Sequence, residues 1–268
     1  MAGPRRYPSS VAIAPSPEEV YERAAAEGRR RLSLAPLDQI STGFIAGVTI
    51  MFGIVALGVV EALVQPRFGQ GISQLAGALA FAIGVVFLVV GRSELFTENF
   101  FDPVAAAIGQ QGTRPWILLL RLWVAILVLN FVGGIVLVAL LTVDGALPDG
   151  AVPALVHIAE DIAAKAWPAT LVRAVLAGAL ITLLSYLLHA VNSVASRIMV
   201  AYMVGFFLAL GPFDHVVVSG LHVLLGIWLG GAVGYGALAA NVGLSALGNL
   251  LGGLLLITLT HTAQVRSG

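Results

Sequence analysis

An all-α polytopic membrane protein, with six transmembrane helices in an inverted three-plus-three repeat, is the fold class the sequence predicts. Three observations carry that reading. The chain is 59% hydrophobic and only 10% charged, with a mean hydropathy of +0.97, where soluble proteins carry roughly 25% charge. Apolar runs approaching the about 20 residues that cross a bilayer fill most of its 268 residues. Two of these runs are interrupted, by Ser93-Glu94-Leu95-Phe96-Thr97-Glu98-Asn99-Phe100 and by Gly211-Pro212-Phe213-Asp214-His215. Hydrocarbon offers free backbone groups no partner, so irregular chain at membrane depth survives only inside protein or along a watery path. Each interruption is therefore a candidate pathway lining.

In chain order, residues 1–36 are expected to form a cytoplasmic tail and an amphipathic helix, the first 15 being Pro- and Ser-rich. Ser16-Pro17-Glu18-Glu19 reads as the helix start, with Ser16 as N-cap and Glu19 closing a capping box. The helix ends in Arg29-Arg30-Arg31 and is expected to be solvated or interfacial. A pore domain of six spans follows over residues 37–262, built of repeats 37–143 and 164–262, with a cytoplasmic tail at 263–268. The spans fall at 40–64, at 71–91 with a half-helix from Asp102, at 116–143, at 169–188, at 198–230 across the second break, and at 239–259. Residues 65–70 are expected as a short loop and residues 144–168 as the longest one. Arg5, Arg6, Arg23, Arg29, Arg30, Arg31, Arg114, Arg121, Arg197 and Arg266 collect on one side, against Arg67, Lys165 and Arg173 on the other. The excess puts both termini in the cytoplasm of a plasma (inner) membrane protein.

Asn130-Phe131-Val132-Gly133-Gly134 and Asn249-Leu250-Leu251-Gly252-Gly253 recur 119 residues apart. The same offset carries Leu95-Phe96 onto Asp214-His215, so the breaks are expected to superpose without a gap. Repeats of three spans insert with opposite orientation and bring paired breaks to the bilayer midplane. Gly226, Gly230 and Gly234 read as a helix-packing ridge.

Function classes fall away with the composition. The absence of cysteine excludes disulfides and thiolate metal sites, and zero net charge argues against a nucleic-acid partner. No metal-ligand cluster, nucleophile–base pair or phosphate loop appears, so neither a cofactor nor an enzyme is expected.

Glu94-Leu95-Phe96-Thr97, the histidine after the second break and Leu247-Gly248-Asn249-Leu250-Leu251-Gly252-Gly253 together resemble the formate/nitrite transporter family, over residues 16–262. The resemblance implies an aquaporin-like fold assembled as a homopentamer. Each protomer would hold its own pore for small monovalent anions such as formate, nitrite or hydrosulfide, or their conjugate acids. Leu95 and Phe96 would form the cytoplasmic constriction, Phe81 and Leu208 the periplasmic one, and Thr97 would hydrogen-bond the central His215. Lys165 resembles a vestibule lysine; Asn249, Asn130 and His222 are further vestibule candidates. The chain departs from the family at Asp214-His215-Val216-Val217-Val218-Ser219-Gly220, and a pore asparagine of the family pattern falls on Gly178. The Glu98-Asn99 continuation marks a divergent branch.

The residues themselves support a chemistry. An anion at the bilayer centre costs several kcal/mol, whereas a protonated weak acid is neutral. One histidine between two apolar rings supplies a group that titrates near neutral pH, and Thr97 orients its ring. His157, His189 and His261 read as structural; Glu94, Glu98 and Asp102 read as helix-capping or solvated. Two alternatives stay open: an aquaporin-like pore for small neutral solutes, and a membrane scaffold without transport.

Overall fold

The structure is a computed structural model that describes residues 14–267; the N-terminal Arg5 and Arg6 lie outside them. Helix α1 (Pro17–Leu32) starts as its sequence dictates: Glu19 N–H donates to Ser16 Oγ at 3.3 Å and Ser16 N–H to Glu19 Oε2 at 3.1 Å. It is not solvated. Its face of Val20, Ala24 and Gly28 is buried, with Gly28 seated on the backbone of Asp102.

Helix α2 (Pro36–Val90) counts 55 residues, about 80 Å if straight and more than twice the roughly 30 Å hydrocarbon core. It folds back at Gly69, whose φ of 77° and ψ of 175° a residue with a side chain rarely adopts. The arms 36–68 and 70–90 then pack antiparallel, Gly53 against Gly84 and Glu61 against Gly77. The expected loop at 65–70 is thus reduced to one residue, because Pro66 is accommodated within the helix.

After the first break come a 3-10 turn (Phe96–Phe100) and the short α3 (Asp102–Ile108), then α4 (Arg114–Leu141). The segment read as the longest loop contains a helix, α5 (Ala151–Ala163). Its Ala151, Leu155 and Ala159, spaced by four, form a buried stripe, and Ala159 packs on Gly226. The second half runs through α6 (Trp167–Ala190), α7 (Val194–Leu210), α8 (Val216–Trp228) and α9 (Tyr235–Leu251). A π turn (Gly252–Thr258) joins α9 to α10 (Leu259–Ser267). The turn is held by Thr258 Oγ1, which donates to Gly253 O at 3.0 Å and to Phe100 O at 2.7 Å. The expected glycine ridge does not form, since α8 ends at Trp228 and Gly230 and Gly234 lie beyond it.

Helices α2, α4, α6 and α9–α10 are long and apolar enough to cross a membrane, and α7 and α8 are shorter apolar pieces. With α2 crossing twice and α7–α8 once between them, the described residues make six spans. Large hydrophobic side chains face outward along them, Phe52, Leu79, Phe87, Val128 and Met203 among others. That is the pattern of a chain whose solvent is lipid or a neighbouring subunit.

Candidate functional site

Asn130 and Asn249 build the two breaks. Asn130 accepts Phe96 N–H at Oδ1 (3.0 Å) and donates through Nδ2 to Gly43 O and Glu94 O, each at 2.9 Å. Asn249 accepts Val216 N–H (2.9 Å) and donates to Ala174 O (2.7 Å) and Asp214 O (3.0 Å). Each amide thus satisfies one N–H and one C=O that leaving the helix set free, and ties them to the first span of its own half. Glu94 N–H on Thr42 O and Asp214 N–H on Arg173 O, both at 3.2 Å, complete the docking.

The glycines of the Asn-x-x-Gly-Gly repeat make that reach possible. A Cβ at Gly133 or Gly252 would strike the carbonyl of Phe44 or Val175, and one at Gly47 or Gly178 the carbonyl of Asn130 or Asn249. The asparagines are wholly buried scaffold, not vestibule residues. Gly178, where the resemblance sought a pore amide, faces the Asn249 backbone, which leaves no room for one.

These bonds also correct the register of the repeat. They match Glu94 with Asp214, Leu95 with His215 and Phe96 with Val216, an offset of 120 at the breaks against 119 at the asparagines. The breaks superpose with a slip of one residue, because the offset was set by the asparagine motif alone.

His215 and Thr97 meet at the centre. Thr97 Oγ1 lies 2.6 Å from His215 Nε2, and both residues are buried. The ring also caps α8, with Nδ1 accepting Val218 N–H at 3.3 Å. An amide N–H only donates, so Nδ1 carries the lone pair and the neutral ring bears its proton on Nε2, donated to Thr97.

A cavity of about 560 Å³ opens on the side away from the termini. Its mouth carries the exposed Gln65, Gln70, His157 and Asp161, and its floor the buried Phe81, Leu208 and His215. Phe207, the aromatic next to Leu208, instead packs on Phe213 at 5.1 Å. Lys165 lines the cavity wall in an ion pair with Asp214. Burial holds its ammonium below the ordinary lysine range, although Asp214 opposes the shift. His222 lines the same cavity.

A second cavity, of about 460 Å³, opens on the terminal side. It holds a buried charge network that the sequence reading treated as capping or solvated groups. Arg30 Nη2 and Arg31 Nε pair with Glu94 at 3.0 and 3.3 Å, and Asp102 meets Arg31 Nη2 at 3.6 Å and His189 Nε2 at 3.0 Å. Asp102 caps nothing, since its carboxylate is committed to these partners. Glu98 is buried as well. Burial disfavours charge on Arg31, but Glu94, Asp102, Glu98 and Glu27 outweigh it and hold the guanidinium charged. Burial likewise raises Glu27, yet Arg30 and Arg31 bring it down to about 2. A glycine within α1 was the available signal that this helix docks. Leu95 and Phe96, both buried, are the two residues of chain between Glu94 in this cavity and Thr97 on His215.

The model of the family described as formate/nitrite transporter matches residues 18–263. Relatives include the Escherichia coli inner membrane protein YfdC, 23% identical over 92% of this chain and 78% of that protein. A Methanothermobacter thermautotrophicus protein named "Probable formate transporter" is 30% identical over 83% and 87% of the two chains. Among solved structures, an FNT family ion channel superposes with a TM-score of 0.78 at 17% identity, covering 91% of this chain and 98% of that one. A pentameric formate channel with formate bound gives 0.68 at 18%, covering 91% and 99%. With the family match spanning nearly its whole length, the chain belongs to the formate/nitrite transporter family.

Proposed function

We propose that the chain conducts small monovalent anions of weak acids, formate, nitrite and hydrosulfide being the candidates, across an inner membrane as a homopentamer with both termini cytoplasmic. The observation that carries this reading is the Thr97–His215 hydrogen bond, buried between two cavities that open on opposite sides. Residues 37–262 make up the pore unit. Phe81 and Leu208 close the outer cavity, and Leu95 and Phe96 the inner one. Dry apolar rings exclude an ion but pass its neutral acid, and the His215–Thr97 pair offers that acid its one polar stop. Similarity to a protein named as a formate transporter and to a pentameric formate channel supports substrate class and assembly.

In this reading the neutral His215 ring presents its Nε2–H, directly or through the Thr97 hydroxyl, to the substrate oxygen. A proton passed on from Nε2 must be replaced at Nδ1, which the Val218 N–H occupies. His215 therefore assists and orients protonation more readily than it supplies protons on its own. Flux into proteoliposomes is the test. Formate or nitrite uptake that accelerates as external pH falls supports the reading; swelling in glycerol without anion flux would replace it with a neutral-solute pore.

A further inference from the structure

We infer that His222 is the proton-exchanging residue of the outer cavity, taking a proton from solvent at Nε2 and handing it to a weak-acid anion before the anion reaches Phe81 and Leu208. The inference deepens the transport reading above and rests on it. His222 is 4% exposed and lines the cavity. Its Nδ1 lies 3.0 Å from Val218 O. A carbonyl only accepts, so Nδ1 carries a proton and, in the neutral ring, Nε2 carries a lone pair. That nitrogen is itself buried and has no hydrogen-bond partner among the described residues. A buried polar atom without a partner is uncommon; here it belongs to a residue that lines a cavity large enough for a substrate.

The two histidines of α8 differ in this respect. Both nitrogens of His215 are engaged, by Thr97 and by Val218 N–H, so a second proton would break the cap of the helix. His222 gains its second proton with no bond lost. They stand seven residues apart on one helix, two turns and about 10 Å, with His222 farther from the break. The charged groups around the cavity are Glu61 of α2, His157 and Asp161 of α5, Lys165, Arg173 of α6 and Asp214. Lys165 is paired with Asp214 and His157 Nε2 lies 3.6 Å from Asp161, which leaves Arg173 to draw an anion. The packed stretches 122–141 of α4 and 236–251 of α9 add no ionisable side chain. The step balances simply: imidazolium and carboxylate become imidazole and carboxylic acid, the acid passes the constrictions, and its proton leaves to water on the other side.

The test is formate uptake by proteoliposomes of the full-length protein between pH 5 and 8, with H222Q and H222F beside wild type. At pH 7, where solvent holds little formic acid, both variants are expected to lose about tenfold in rate. At pH 5 they converge on wild type, because solvent itself supplies the acid. H222F fills the site with an apolar ring of similar size, so a defect confined to folding in H222Q is separated by thermal melting of the two variants. Parallel pH profiles for wild type and either well-folded variant would overturn the role of His222 while leaving the transport reading intact. No uptake by wild type at any pH would overturn both.

Discussion

Asn130 and Asn249 make the same three hydrogen bonds on opposite halves of the molecule, each closing the break of its own half onto that half's first span. The breaks therefore share a scaffold while differing in chemistry: matched positions hold Leu95 in one and His215 in the other.

Asn130→Ala and Asn249→Ala are each expected to leave buried amide and carbonyl groups without partners, at about 1–3 kcal/mol per group. Both should lower the thermal melting point of the purified protein and reduce flux, by similar amounts. A large effect at one asparagine and none at the other contradicts the shared scaffold.

Gly47→Val and Gly178→Val test the close approach beneath those asparagines. Even a Cβ overlaps the opposing carbonyl, and the branched side chain forces the helices apart. Neither variant is expected to yield stable protein in a fluorescence-detected size-exclusion assay, whereas Val at the open position Gly243 is tolerated.

Much of this was legible in the sequence because membrane burial makes polar interruptions conspicuous. The two breaks and the paired asparagines follow from residues that hydrocarbon would otherwise penalise, whereas the meeting of Thr97 with His215 was implied by the resemblance to the family. The register was misread by one residue because the motif anchors the asparagines and not the breaks. Helix α5 was missed because Asp149, Glu160 and Asp161 suggested a solvated loop, although Ala151, Leu155 and Ala159 recur every four residues. The docking of α1 was hidden because its partners, Glu94 and Asp102, lie some 60 to 70 residues away from the Arg30 and Arg31 that hold them.

Arg31→Gln should leave Glu94 and Asp102 buried with too little positive charge, a change that costs about 3–5 kcal/mol where a buried pair is broken. In the wild type Glu27 makes stability depend on pH. Its folded pKa of about 2 lies below the ordinary glutamate value of 4.5, so its contribution is full above pH 4.5 and fades as pH drops toward 2. Melting curves of the wild type from pH 3 to 7 check that sign, and the melting of Arg31→Gln against wild type at pH 7 checks the loss.

Thr97→Val keeps the shape of the side chain and removes the acceptor of the His215 Nε2–H. Stability is expected to fall by about 1–3 kcal/mol, while weak-acid flux falls on the order of tenfold or more. Thr97→Ser, which restores the hydroxyl, should recover most of the rate.

The most direct measurement is the initial rate of formate and nitrite uptake by His215→Asn proteoliposomes across pH 5 to 8, set against wild type with protein folding verified by melting. The account predicts uptake that is abolished or strongly reduced at every pH, since asparagine neither titrates nor reproduces the Nε2–H donated to Thr97. Undiminished uptake with a wild-type pH profile would contradict it.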